Sequence, residues 1–194
     1  RLASSIALVL VLWRFIAYFF HTALERKTAL VAVLVAHGLG VYALVLAPGA
    51  YANPYHRPMD LWVSESSVLY SMLHSAHFVV GTLLMLCGFL ILIRALEQRT
   101  WRYAFFSGFF FLALFSFHPF HAPTIWLVVC IAVIAERFRK RLSWRRFFLF
   151  AIPILISAPA VFWYVYTTLT DPVIQGRAAQ NINLIPGIVP TLLS

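Results

Sequence analysis

Few side chains in this 194-residue chain exchange a proton readily near neutral pH: it has seven histidines and six carboxylates. Two of the histidines fall in Phe117-His118-Pro119-Phe120-His121-Ala122-Pro123, a proline-broken knot between two uncharged apolar runs. His74 and His77 are three residues apart, which places both on one face of a helix. The stretch Asp60-Leu61-Trp62-Val63-Ser64-Glu65 carries two carboxylates, and an imidazole could share a proton with either. Arg177 and Asn181 lie in the last polar segment. Asp60, Glu65, His74, His77, His118, His121, Arg177 and Asn181 are therefore the candidate substrate-binding residues. The histidines and carboxylates each have a plainer alternative. His118 and His121 would satisfy carbonyls freed by a proline-kinked turn. His74 and His77 would sit at a membrane interface, and Asp60 and Glu65 would be solvated loop residues.

The elements that must position them follow from composition. The chain is 62% hydrophobic and 11% charged, with a mean hydropathy of +0.87. A soluble domain is nearer half apolar and a quarter charged. The expected fold is all-α, a polytopic transmembrane helical bundle. The net charge of +9 does not point to nucleic acid, because the basic residues cluster in short segments between apolar runs. Cys87 and Cys130 sit singly inside apolar runs, which reads as small buried packing residues rather than a disulfide or a metal pair. The chain opens on Arg1 and ends at Ser194 within an unfinished segment, so it reads as a fragment of a larger membrane protein. Its first apolar run is too long for a signal peptide and lacks a small-residue cleavage site.

About six spans are expected in a single transmembrane domain, at roughly 2–24, 28–47, 70–93, 103–117, 122–135 and 147–169. Loops at about 48–69 and 170–190 would face outward. The segments 25–27, 94–102 and 136–146 alternate to the other side. They hold Arg26, Lys27, Arg94, Arg99, Arg102, Arg137, Arg139, Lys140, Arg141, Arg145 and Arg146, against Arg1, Arg57 and Arg177 opposite. The positive-inside rule puts these three segments in the cytoplasm. Tyr103 to Ala135 must then cross twice, yet reaches only about 50 Å, short of the roughly 60 Å that two crossings need. The knot is thus expected slightly below the outer surface, with Pro119 and Pro123 breaking the helices there.

The order of Asp60-Leu61-Trp62 with Glu65, His77-Phe78 opening a long span, a basic turn, Phe117-His118-Pro119-Phe120 and an Asn-bearing loop from Asn181 to Pro186 resembles bacterial polytopic glycosyltransferases of the GT-C type. The match covers about Asp60 to the C-terminus. It implies a multi-pass protein of the bacterial plasma membrane that transfers a sugar from a polyprenyl-phosphate donor on the extracytoplasmic side. Its implied partners are that donor and membrane lipid. The family's catalytic acid lies in the first outer loop, which has no counterpart here, so it is expected upstream. Asp60 and Glu65 would then shape the sugar-binding cavity. Outer-side histidines and Arg177 would stabilise the departing phosphate.

Two other readings stay open. One is a transporter or lipid-handling protein with a broken-helix site at 117–123. The other is a haem or metal protein built on the outer histidines. No cofactor is demanded by these residues, and a divalent cation is the one candidate for the glycosyltransferase reading.

Overall fold

The computed structural model describes residues 2–35, 68, 72 and 76–176. Helices joined by tight turns make up these residues, and among them there is no strand. The helices are α1 (Leu2–Phe19), α2 (Ala23–Val35), α3 (Ala76–Gln98), α4 (Trp101–Phe117), α5 (His121–Phe138) and α6 (Trp144–Thr170). A short helical stretch follows at 172–176. Four of them, α1, α3, α5 and α6, are long and apolar enough to cross a membrane. Helix α4, with 17 residues, is a shorter apolar helix, and α2 is described for 13 residues.

Polarity runs inside out. Phe105, Phe106, Phe109, Leu127, Ile131 and Leu155 are exposed, while Ser107 and Ser157 are fully buried. Water would not tolerate so continuous an apolar surface. The protein is an integral membrane protein with several membrane-spanning helices.

The chain divides into two compact units, Arg1–Val80 with Pro172–Ser194, and Gly81–Asp171. In the first, α1 buries Leu8, Leu12 and Ile16, four residues apart along one face. Its chain then turns sharply at Phe20-His21-Thr22 and starts α2, earlier than the expected boundary at Leu24. A capping box causes this turn. The Glu25 amide donates to Thr22 Oγ1 (3.2 Å), and Glu25 Oε2 accepts from the amides of Thr22 (3.0 Å) and His21 (3.2 Å). Glu25-Arg26-Lys27, expected as a loop, therefore forms the first turn of α2. Arg26 Nε returns to the Phe20 carbonyl at 2.9 Å.

In the second unit α3 (from Gly81), α4, α5 and α6 form a bundle around α4. Its buried residues, Ala104, Ser107, Gly108, Phe111, Leu114 and Phe115, recur at helical spacing. Toward α3, Ser107 Oγ donates to the Gly88 carbonyl at 2.9 Å, and a Cβ on Gly88 would overlap the Phe111 ring. Toward α6, a Cβ on Gly108 would come within 2.8 Å of Ile156 Cβ. Small residues on α4 thus set its approach to one neighbour, and a small residue on α3 sets the other. Phe111, Phe115, Ala122 and Ile125 continue the core to α5, and Leu92, Val129 and Phe150 join α3, α5 and α6 lower down.

The charged segments 94–102 and 136–146 also prove more helical than expected. Only Arg99 and Thr100 separate α3 from α4, and only 139–143 separates α5 from α6. Both helices end in Schellman turns, with Thr100 N–H donating to Ala95 O (3.1 Å) and Arg141 N–H to Glu136 O (2.9 Å). The left-handed positions are Arg99 (φ 52°) and Lys140 (φ 54°). Ser143 caps α6 by accepting from the Arg146 amide at 3.3 Å. Arg145 Nη2 donates to the Arg99 carbonyl at 2.6 Å, tying the two turns together, and Arg146 pairs with Glu136. Cys130 is exposed rather than buried, and Cys87 is half-buried; both are free thiols.

Two outcomes follow from these contacts. Gly108→Ala should destabilise the bundle by about 1–3 kcal/mol, because Ile156 meets the new methyl through its own Cβ and has no rotamer to escape with. Thermal unfolding in detergent measures this. The Glu25 carboxyl is held below its ordinary value, first by the Thr22 amide and then by the Thr22 hydroxyl, outweighing slight desolvation. Its contribution is complete above the unfolded value, about 4.3, and is lost as pH falls through the lower folded value. Hydrogen-exchange protection of the His21 and Thr22 amides should fall in that acid range, and Glu25→Ala should abolish the protection at neutral pH.

Candidate functional site

The knot forms because proline acts on both of its sides. Helix α4 ends at Phe117 and caps on His118, whose φ of −132° and ψ of 65° lie outside the helical region. Pro119 imposes this, since its ring disfavours helical backbone in the residue before it. Phe120 is already helical (φ −63°, ψ −20°) and starts α5. Pro123 does not break a helix. It sits in the first turn of α5, where amides have no intrahelical acceptor and a missing N–H costs little. The break is therefore confined to His118-Pro119-Phe120. Three amides at the turn are satisfied locally: His118 N–H donates to Leu114 O (2.8 Å), His121 N–H to His118 O (3.2 Å), and Ala122 N–H to Pro119 O (3.0 Å).

The knot has two differently furnished sides. On the α3 side lie the two imidazoles, with ring centroids 5.7 Å apart. His118 is 8% exposed, and its ring also meets Phe117 edge-on at 5.0 Å. Gly81 of α3 makes room for both. A Cβ there would stand 3.3 Å from His118 Cδ2 and 3.9 Å from His121 Nε2.

On the α6 side opens a cleft of about 540 Å³, walled mainly by Phe115, Phe117, Pro119, Phe120, Trp163 and Tyr164. Phe120 meets Tyr164 edge-on at 5.7 Å. The two aliphatic hydroxyls in the wall are turned back into their helices: Ser116 Oγ donates to Leu112 O (2.8 Å) and Thr167 Oγ1 to Trp163 O (3.0 Å). What the cleft offers is mainly flat aromatic and proline surface, with a smaller polar share. Neither histidine belongs to its wall.

Depth follows from helix lengths. Trp144 and Trp163, both strongly exposed, are separated along α6 by about 29 Å, close to the thickness of a hydrocarbon core. Tyr164, next to Trp163, is level with the knot through its contact with Phe120. Helix α6 then runs on to Thr170, about 9 Å farther. The knot is thus recessed below the end of its neighbouring helix.

Of the residues singled out from the sequence, His118 and His121 are brought together. His77 is exposed on α3 with its ring against Phe78 (4.1 Å between centroids). Asp60, Glu65, His74, Arg177 and Asn181 lie outside the described residues. Among the described residues no three His, Cys, Asp or Glu side chains converge as a metal site would require. The sequence reading missed Phe120 with Trp163 and Tyr164. The aromatic run around Trp163 and Tyr164 was visible in the sequence, but which helix faces the knot was not. No family model matches the chain, and neither curated proteins nor solved structures provide a match.

Gly81→Val should push His118 out of its seat and lower stability by about 1–3 kcal/mol, read as a fall in the unfolding temperature. Gly176→Ala, whose added methyl meets nothing within 4 Å, should stay within about 0.5 kcal/mol of the parent.

Proposed function

We propose that this chain is part of a membrane glycosyltransferase that takes a sugar from a polyprenyl-phosphate donor at the knot end of the bundle. The cleft beside the knot carries this reading. Its aromatic and proline walls suit an isoprenoid chain, and Trp163 and Tyr164 suit a place where one end is apolar and the other wet. Its volume of about 540 Å³ lies in the range of small-molecule sites. The ordered motifs from Asp60 to Pro186 supply the chemical class.

In this reading α2 and α4 complete six crossings of a bacterial plasma membrane. The basic turns face the cytoplasm, and the cleft opens near the extracytoplasmic surface. Asp60, Glu65, His74, His77, Arg177 and Asn181 serve the sugar and phosphate of the donor. His118 and His121 brace the knot that forms one wall of the cleft. No catalytic base is assigned within the chain.

The transport reading has less support. A broken-helix transport site turns helix ends and unwound backbone toward its ligand. Here the amides of His118, His121 and Ala122 are hydrogen-bonded locally, which leaves the Phe120 amide as the one backbone donor of the break.

The test is glycosyl transfer by the full-length protein from a polyprenyl-phosphate sugar in reconstituted vesicles. Phe120→Ala and Tyr164→Ala should each raise the donor KM about tenfold, the effect of losing one packed aromatic face. Phe105→Ala, on the exposed far end of α4, should not. Unchanged donor KM in both cleft variants, or flux of the lipid without glycosyl transfer, overturns the reading.

A further inference from the structure

We propose that the opposite, basic end of the bundle holds a second lipid site, one that seats a single anionic phospholipid between α5 and α6. The proposal does not depend on the glycosyl-transfer reading. Its first support is a groove of about 360 Å³ whose wall is almost wholly apolar, including Val129, Cys130, Ile134, Phe147, Ala151 and Leu155. Along α6 the groove extends from Phe147 to Leu155, about 12 Å. Cys130, Ile134 and Leu155 are exposed at its rim, so it opens sideways to the lipid phase.

Its second support is the charge at its mouth. Phe147 directly follows Arg146. Ile134 is one turn before Arg137 on the same face of α5. The turn from Glu136 to Arg146 holds six cations and one carboxylate, and Arg146 already occupies that carboxylate. Arg145 is held by the Arg99 carbonyl. Arg137, Arg139, Lys140 and Arg141 keep exposed side chains on a backbone fixed by the Arg141 and Leu142 amides, both donating to Glu136 O.

A zwitterionic headgroup brings its own cation to such a turn, whereas an anionic one meets uncompensated positive charge. The occupant with matching chemistry is a phospholipid of net negative charge. One acyl chain lies in the groove, and the phosphate rests on Arg137 and the cations of the turn. The rigid turn orders these cations before the lipid arrives, which lowers the entropy that binding must overcome. A free phosphate would gain nothing from the groove, and a neutral lipid nothing from the turn.

The experiment uses the full chain, purified in mixed micelles with matched palmitoyl-oleoyl phosphatidylglycerol and phosphatidylcholine, with bound lipid counted by native mass spectrometry. Phosphatidylglycerol should be retained at least about tenfold over phosphatidylcholine. Combining Arg137→Gln, Arg139→Gln, Lys140→Gln and Arg141→Gln should abolish that preference. Cys130→Trp and Leu155→Trp each fill the groove from an exposed rim position and should release the lipid with every cation still in place. If one of these does not fold, the other decides. Equal retention of both lipids by the parent chain overturns the proposal. So does an undiminished preference in a folded groove-filling variant, since that would reduce the effect to diffuse surface charge.

Discussion

The close approach of α4 to its neighbours is the constraint on which the second unit depends. No hydrophobic force draws helices together in lipid, because the tails outside are as apolar as the side chains within. Contact must come from shape. Gly88 admits the Phe111 ring, Gly108 lets α6 approach to its Ile156 Cβ, and the Ser107 hydroxyl finds the Gly88 carbonyl. With these three contacts α4 becomes the most enclosed helix, although it is too short to count among the long apolar spans. Enclosure and shortness are linked. A helix that is covered by neighbours need not match the bilayer, and its end can stop below the surface while α6 continues about 9 Å beyond.

Cover by α3 on one side and α6 on the other makes irregular backbone tolerable at the knot. Pro119 forces His118 out of the helix, and the amides of His118, His121 and Ala122 find carbonyls within four residues. The histidines occupy the side where Gly81 leaves space, while the aromatic residues occupy the side facing α6. One three-residue break therefore presents two chemically distinct surfaces. The same proline that interrupts the helix also supplies part of the cleft wall.

Much of this plan was legible in the sequence. Uncharged runs ending in arginines marked the helices, because only helices can satisfy their own backbone in lipid. The knot was legible because two prolines and two histidines interrupt an otherwise apolar stretch. What escaped was local or facial. Thr22 and Glu25 form a capping box whose signature is written in the chain, yet the apolar run continuing to Leu24 concealed the turn at Phe20. Pro123 looked like a breaker, although in the first turn its missing N–H is no loss. Cys130 looked like core, and its exposure follows from the rotation of α5 about its axis, which hydropathy does not encode when all faces are apolar. The same limit hid the partnership of Phe120 with Tyr164.

The basic end shows a choice that packing alone does not explain. Arg99 and Lys140 both occupy left-handed positions where glycine is the unstrained residue. A side chain there costs roughly 1–2 kcal/mol. A cation at such a site recovers part of that strain from the negative end of the helix dipole. It also keeps positive charge at both turns. Arg99 contributes a carbonyl as well, which holds Arg145 and couples the α3–α4 turn to the α5–α6 turn. Strain at two backbone positions is thus exchanged for charge at one end of the bundle. The knot end, by contrast, resolves its backbone break with proline and aromatic residues and carries no cation in its cleft wall. The two ends of the same four helices thus carry different surfaces, the first cationic and the second mainly aromatic.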